Sequence, residues 1–178
     1  MQERRSVVTA VRSARLGGQR LLIPLVAAAV IIADQLTKTW ALHHLADSSR
    51  HVLGPTYLVL TFNSGAAFSL GRGITPIVET VAVALVVWLL ALSRNLSRSA
   101  SWPVAVGLGL LLGGALGNLS DRLFRHIPGH PSSVIDFVQA VSWWPVFNVA
   151  DASIVVGVIV LVVTYTIRNT RPDPGPHP

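Results

Sequence analysis

The sequence predicts an all-α membrane protein with four transmembrane helices and a small extracytoplasmic β-element. Of its 178 residues, 51% are hydrophobic and only 12% are charged, a balance outside the usual range of soluble domains. Four apolar stretches are each long enough to cross about 30 Å of hydrocarbon as a helix. They lie at about 21–42, 75–93, 102–119 and 152–167.

The distribution of basic residues predicts how these helices are oriented. The net charge of +6 could suggest nucleic acid binding, but most arginines precede the first span, lie in the short second connection or follow the fourth span. The two longer connections, 43–74 and 122–150, carry only Arg50, Arg72, Arg122 and Arg125. Because basic segments stay in the cytoplasm, both termini are expected there, the longer connections are expected to face outward, and no nucleic acid partner is expected.

A single membrane domain is expected at 21–168, between a basic cytoplasmic tail at 1–20 and a disordered, proline-rich cytoplasmic tail at 169–178. The first span has no small-residue cleavage site after it, which indicates an uncleaved anchor. The chain has no cysteine, and this excludes disulfides, thiolate catalysis and cysteine-bound zinc.

Two segments outside the spans have the composition of β-strands. Residues 56–62, rich in β-branched and aromatic side chains, follow the first span, and a similar run at 134–138 follows the third. Within the third span, Gly109, Gly113 and Gly117 are four residues apart, a spacing that lets helix backbones approach closely in a membrane. The third span is therefore expected at the centre of the bundle.

Five acidic residues lie at or near membrane depth, where an ionisable group is costly and its default interpretation is functional. All five fall toward the outer ends of their spans, which gathers carboxylates at one level. In a pair of carboxylates, one member can take a proton from water while its protonated partner donates a hydrogen bond to a scissile carbonyl. The five are Asp34, Glu79, Asp121, Asp136 and Asp151.

Three of these acids have a structural explanation that outweighs a catalytic one. Lys38 lies one helical turn after Asp34, at the spacing of an intrahelical ion pair. Arg122 follows Asp121 directly, which suggests a second structural pair. Glu79 falls in the first turn of the second span, where the helix dipole favours an acid.

The remaining two acids form the candidate catalytic pair. Asp151 lies three residues after Asn148, as in a helix N-cap, so it has a structural alternative. Asp136 lies within an apolar run that contains no cation, where an unpaired carboxylate has no structural reason to exist.

A proton- or cation-coupled transporter is the chief alternative function, although its acids would be expected near the bilayer midplane. A non-catalytic assembly protein held by the glycine face is a second alternative.

Other chemistries have weaker support in the sequence. His126 and His130 are four residues apart, but the intervening Pro-Gly prevents the one-faced helical arrangement that zinc needs. Lys38, the only lysine, could activate a serine, but no local spacing supports a serine–lysine hydrolase. Neither a metal nor another cofactor is expected.

Several motifs in a fixed order make the chain similar to a known family. They are Asp34-Gln35 with Lys38, NSGAAF at 63–68, GGALGNLSDR at 113–122, VIDF at 134–137 and FNVAD at 147–151. Across about 33–157, this order resembles the bacterial lipoprotein signal peptidases, also called signal peptidase II.

The resemblance implies that Asp136 and Asp151 are the catalytic pair of an aspartic endopeptidase. The implied substrate is a prolipoprotein whose cysteine already carries diacylglycerol, cut on the amino side of that cysteine. A monomer in the bacterial inner membrane is expected, in contact with membrane lipids and with its site toward the outer face. The resemblance implies supporting or substrate-positioning roles for Asp34, Lys38, Asn63, Gly65, Asn118, Asp121, Arg122 and Asn148.

One segment departs from the family pattern. The stretch between Asp121 and Asp136 is longer than in compact members of the family, with 126–133 as the apparent extra loop. This loop is expected to alter the mouth of the site and to leave the chemistry unchanged.

Overall fold

The computed structural model describes residues 2–64, 80, 83–84, 86–92 and 101–170, with residues 2–20 described by their backbone alone. It is mostly helical and contains one small antiparallel sheet. The elements in chain order are α1 (Gln2–His44), β1 (Arg50–Leu53), β2 (Thr56–Asn63), α2 (Trp102–Phe124), β3 (Val134–Gln139) and α3 (Val149–Asn169).

Three segments of the described residues are helices long and apolar enough to cross a membrane: Leu21–His44, Trp102–Phe124 and Val149–Asn169. The prediction of a helical membrane protein is confirmed at this level. Within the predicted second span, residues 80, 83–84 and 86–92 are helical, and the others lie outside the described residues. Helix α1 begins at Gln2, so the backbone of the predicted basic tail continues the first helix.

Glycines on two faces of α2 let this helix lie directly against both of its neighbours. A Cβ added at Gly113 would lie 2.7 Å from the Cβ of Val30 and 2.8 Å from the carbonyl oxygen of Ala27 on α1. A Cβ added at Gly107 would lie 2.8 Å from the Cγ of Leu161 on α3. Small residues at such contacts are what allow membrane helices to pack closely. Helix α2 is therefore central, as the glycine spacing predicted.

The sheet has the strand order β1-β2-β3, and both pairings are antiparallel. In the β2–β3 pair, Thr61 lies opposite Asp136 and Asn63 lies opposite Val134. These two strands correspond to the two predicted ones. Strand β1 was not predicted, because its four residues are all exposed and show no alternation of buried and exposed side chains.

The sheet packs on the last turns of α1. Ile135 and Phe137 of β3 form a buried cluster with Ala41 and Leu45, and none of the four is more than 5% exposed. The strand that carries Asp136 is thereby fixed against the first membrane helix.

The glycine contact between α1 and α2 can be tested by adding a side chain to it. Gly113→Leu is expected to destabilise the fold by about 1–3 kcal/mol, because the new side chain overlaps the backbone of α1. The measurement is unfolding of the purified protein by sodium dodecyl sulfate in mixed micelles. Ala29→Leu, an exposed site on α1, is the matched control and should change the midpoint little. Equal midpoints for both variants would contradict this packing.

Candidate active site

Two carboxylates meet at one end of the helical bundle, although they come from different elements. Asp136 lies on β3 and is 2% exposed, and Asp151 lies in the first turn of α3 and is partly buried. These are the two residues predicted as the catalytic pair. The structure brings them together through one shared neighbour, Asn148.

Asn148 is both the N-cap of α3 and a bridge between the two carboxylates. Its side-chain Nδ2 donates to Oδ1 of Asp136 at 2.7 Å, and its Oδ1 accepts from the backbone N–H of Asp151 at 2.9 Å. The backbone N–H of Asn148 donates in turn to Oδ2 of Asp151 at 3.2 Å, which completes a capping box. The predicted cap is therefore present, and it leaves Oδ1 of Asp151 available for a further contact.

Asp136 is held by amide groups and has no basic partner in direct contact within the described residues. Besides Asn148, Asn63 at the end of β2 donates from Nδ2 to Oδ2 of Asp136 at 3.0 Å. Burial raises the pKa of Asp136 to about 6, and the nearby charge of Asp151 also raises it. The amide hydrogen bonds and the more distant charge of Lys38 lower the same pKa but do not cancel the rise. Asp136 therefore retains a proton more readily than an ordinary aspartate does.

Lys38 forms a fully buried centre beneath the candidate catalytic pair. Its ammonium group lies 2.8 Å from Oδ2 of Asp34, 2.9 Å from Oδ2 of Asp121 and 2.9 Å from Oδ1 of Asn118. An ammonium has three N–H donors, and each therefore has an acceptor. The ion pair predicted from the spacing of Asp34 and Lys38 is present as one part of a larger network.

The predicted pairing of Asp121 with Arg122 is wrong. Asp121 forms its ion pairs with Lys38 and, from Oδ1 at 3.0 Å, with Nε of Arg125. Arg122 donates from Nη1 to the backbone oxygen of Ser132 at 3.2 Å. The reason is helical geometry, since side chains four residues apart share a face and adjacent side chains do not.

Asn118 connects the buried lysine to the catalytic pair. Because an ammonium can only donate, the amide oxygen of Asn118 must face Lys38, and this same oxygen accepts from Nδ2 of Asn148 at 3.0 Å. The Nδ2 of Asn118 then points to Asp151 and donates to its Oδ1 at 2.8 Å. The charge of Lys38 thus sets the direction in which Asn118 donates.

Two residues that the sequence analysis did not single out as site residues complete the network. Gln35 donates from Nε2 to Asp34 and Asp121 at 3.2 and 3.1 Å, and Nη2 of Arg125 donates to its Oε1 at 2.6 Å. With Arg125 included, the formal charges of the two buried acids and the two bases sum to zero. The spacing of Asp121 and Arg125 was a signal for this contact. The predicted site residue Gly65, and Glu79, the acid assigned to a helix N-terminus, lie outside the described residues.

A groove of about 560 Å³ opens beside the catalytic pair. Asn63, Asp136 and Asp151 form its polar end. The rest of its described lining is apolar and comes from the connection before α3 and from the first turns of α3, namely Trp144, Pro145, Val146, Phe147, Ala152, Val155 and Val156. Such a groove suits an extended apolar chain whose reactive group reaches two carboxylates.

The described residues contain no group of three or more His, Cys, Asp or Glu side chains arranged to hold a metal ion. This part of the chain presents a pair of carboxylates held by amide groups, one of which, Asp136, has a raised pKa. Such a pair can activate water on one side of a carbonyl group and protonate the carbonyl oxygen on the other.

Comparison with known proteins supports an enzyme site. Residues 26–167 match the family model described as signal peptidase (SPase) II. A lipoprotein signal peptidase of Rhodococcus jostii is 44% identical over 162 residues, which cover 87% of this chain and 77% of the relative. The corresponding protein of Mycobacterium leprae is 44% identical over 146 residues, covering 81% of this chain and 70% of the relative.

Two solved structures of bacterial membrane enzymes share the fold. One, at 2.3 Å resolution, aligns with a TM-score of 0.68 at 24% identity over 88% of this chain and 94% of its own. The other, at 1.9 Å, aligns with a TM-score of 0.68 at 26% identity over 80% of this chain and 91% of its own. The fold, the family match and the relatives agree, and the chain belongs to the signal peptidase II family of aspartic-type membrane peptidases.

Proposed function

We propose that this chain removes the signal peptide from diacylglyceryl-modified prolipoproteins by cutting on the amino side of the lipid-modified cysteine. The observation that carries the proposal is the pair Asp136 and Asp151, bridged by Asn148 at the polar end of an apolar groove. The groove offers apolar walls to acyl chains, and the carboxylates lie where the peptide bond next to the lipid would be held.

The two carboxylates take different roles in the proposed reaction. Asp151, whose oxygens accept hydrogen bonds from Asn118 and from the backbone of Asn148, acts as the base and takes a proton from water as the water oxygen attacks the carbonyl carbon. Asp136, with its raised pKa, donates its proton to the carbonyl oxygen. As the tetrahedral intermediate collapses, Asp136 recovers that proton and the leaving nitrogen receives the proton held by Asp151. The products are a carboxylic acid and an amine, and the pair returns to its starting state.

Most of the other predicted site residues position Asp136 and Asp151 or balance the charge around them. We assign positioning of the pair to Asn63, Asn118 and Asn148, and charge balance beneath the site to Asp34, Lys38 and Asp121. Arg122 and Gly65 are assigned to substrate positioning on the family resemblance. Of the acids that also suggested a transporter, Asp34 and Asp121 make buried ion pairs with Lys38, which favours a structural role for these two.

We infer four spans in the bacterial inner membrane within a domain at 21–168, both termini in the cytoplasm, the site toward the outer face, and a monomeric enzyme in contact with membrane lipids. The positions of the arginines support the orientation. The site residues lie late in α1 and α2 and early in α3, as expected for one end of a bundle of alternating helices. Trp143 and Trp144 are exposed nearby and suit a membrane boundary.

The proposed catalytic pair is tested by replacing one carboxyl group at a time. Asp136→Asn and Asp151→Asn are each expected to lower kcat by about a hundredfold to ten-thousandfold, because each removes one proton-transfer group. The measurement is the gel-shift cleavage of a diacylglyceryl-modified prolipoprotein by the purified variants. Asp47→Asn, the same change at an exposed acid, should cut at the rate of the wild type. Cleavage by both dyad variants would reject the assignment.

The pH dependence follows from the protonation of Asp136. As pH rises through its pKa of about 6, Asp136 loses the proton that it must donate, so kcat/KM is expected to fall on the alkaline side. The hydrogen bond from Asn63 lowers this pKa, and its removal in Asn63→Ala is expected to move the alkaline limb to higher pH. Profiles of kcat/KM against pH for both proteins measure the shift. An unmoved limb would show that Asn63 does not act on the titrating group.

The orientation is tested with single cysteines, since the chain has none of its own. Ser49→Cys, in the exposed connection after α1, is expected to react with a membrane-impermeant maleimide in intact spheroplasts. Thr170→Cys, just after α3, is expected to react only after the membrane is permeabilised. The opposite pattern would invert the topology and place the site on the cytoplasmic side.

A further inference from the structure

Arg125, the first residue after α2, joins two helices at the buried network around Lys38. Its Nε donates to Oδ1 of Asp121 on α2 at 3.0 Å, and its Nη2 donates to Oε1 of Gln35 on α1 at 2.6 Å. The side chain is 19% exposed, and it is not among the described residues that line the groove. Arg125 therefore belongs to the network and not to the space in which the substrate is proposed to bind.

The contact with Arg125 determines which way round the side-chain amide of Gln35 lies. A guanidinium group can only donate hydrogen bonds, so Oε1 of Gln35 must face Arg125 and Nε2 must point the other way. Nε2 then donates to Oδ1 of Asp121 at 3.1 Å and to the backbone oxygen of Gly117 at 3.2 Å. If the amide were turned over, its oxygen would face the carboxylate of Asp121, and two acceptors would repel each other.

The carboxylate of Asp121 is held at both of its oxygens. Oδ1 accepts from Arg125 and Gln35. Oδ2 is thereby left to face the ammonium group of Lys38 at 2.9 Å and the backbone N–H of Ile135 at 3.3 Å. Because a carboxylate is planar, donors that hold one of its oxygens also fix the direction of the other.

Ile135 connects Asp121 to the proposed catalytic pair. Its N–H donates to Asp121, and its backbone oxygen accepts from Nδ2 of Asn148 at 3.3 Å. Asn148 bridges the two acids, and Asp136 is the next residue along β3. A change in the direction of the Asp121 carboxylate would therefore move the backbone beside Asp136.

We propose that Arg125 is a positioning residue for the peptidase reaction, which it serves by fixing the amide of Gln35 and the carboxylate of Asp121 and thereby the place of Asp136. This inference rests on the proposed function and deepens it. Since Arg125 lies outside the described lining of the groove, its loss should lower kcat and leave KM unchanged. That is the pattern expected when reacting groups are displaced while binding of the substrate is kept.

Arg125→Met removes the donors and keeps much of the apolar length of the side chain. It is expected to lower kcat by about tenfold to a hundredfold, with KM within about twofold of the wild type. The measurement is cleavage of a diacylglyceryl-modified prolipoprotein over a range of substrate concentrations at a fixed detergent concentration. Unfolding by sodium dodecyl sulfate in mixed micelles gives the folded fraction, by which each kcat is divided.

Arg168→Met is the matched control, since it makes the same change at an exposed arginine in the last turn of α3. It should cut at the rate of the wild type. A kcat for folded Arg125→Met within about twofold of the wild type, or a loss confined to KM, would overturn the proposal.

Arg125→Lys separates orientation from charge. It keeps the positive charge, but an ammonium group on a flexible chain lacks the rigid fork that reaches two acceptors at once. The unfolding midpoint should therefore return toward that of the wild type, while kcat stays lower by about fivefold or more. Full recovery of kcat would show that charge alone matters and would overturn the orienting role.

Gln35→Met tests the connection through the amide. Alone it should also lower kcat, and combined with Arg125→Met it should lower kcat by less than the product of the two single losses, because both side chains act on Asp121. Losses that multiply would overturn this connection. Normal cleavage by Arg125→Met beside an inactive Asp136→Asn rejects the role of Arg125 alone, whereas a wild type that does not cut the lipidated substrate rejects the proposed function as well.

Discussion

The burial of one lysine between two aspartates is the constraint on which the rest of this structure depends. Lys38, Asp34 and Asp121 are all 0% exposed, and taking such charges out of water costs several kcal/mol for each ion unless they are paired. Removing one partner of a buried pair typically costs about 3–5 kcal/mol, because the remaining charge is left uncompensated. Since Asp34 belongs to α1 and Asp121 to α2, the lysine ties together the two helices that carry the network.

The same two aspartates also hold the backbone of the elements that carry the proposed catalytic pair. Oδ1 of Asp34 accepts from the backbone N–H of Ala150 in the first turn of α3, next to Asp151. Oδ2 of Asp121 accepts from the backbone N–H of Ile135, next to Asp136. Each of these buried acids therefore fixes the residue beside one member of the proposed catalytic pair. The network of Lys38, Asp34 and Asp121 thus both pairs the buried charges and positions the residues next to Asp136 and Asp151.

Contacts between residues close together in the sequence could be predicted from it, and contacts between residues far apart in the sequence could not. The spans, the close packing of α2 and the ion pair of Asp34 with Lys38 follow from local spacing, which the sequence displays directly. The contact of Gln35 with Asp121 joins residues 86 positions apart, and no local pattern predicts it. The error over Arg122 arose from reading adjacency along the chain as proximity in space. The hypothesis that Asp136 and Asp151 form the catalytic pair rests on an acid without a partner in an apolar run and on motifs that resemble a known family, and the structure adds that the two share Asn148 as a neighbour.

The exposure of the groove wall determines how a substrate can arrive. Val155 and Val156 line the groove and are 58% and 49% exposed on α3, so the cavity is continuous with the surface that this span turns toward lipid. The lipidated substrate that we propose would therefore reach the pair by lateral diffusion within the membrane, without passing through water. The quantity that saturates such an enzyme is a surface density, the mole fraction of substrate among the surrounding lipids. A Michaelis constant given in moles per litre of solution would change with the amount of detergent or lipid present, even though the affinity of the site stayed the same.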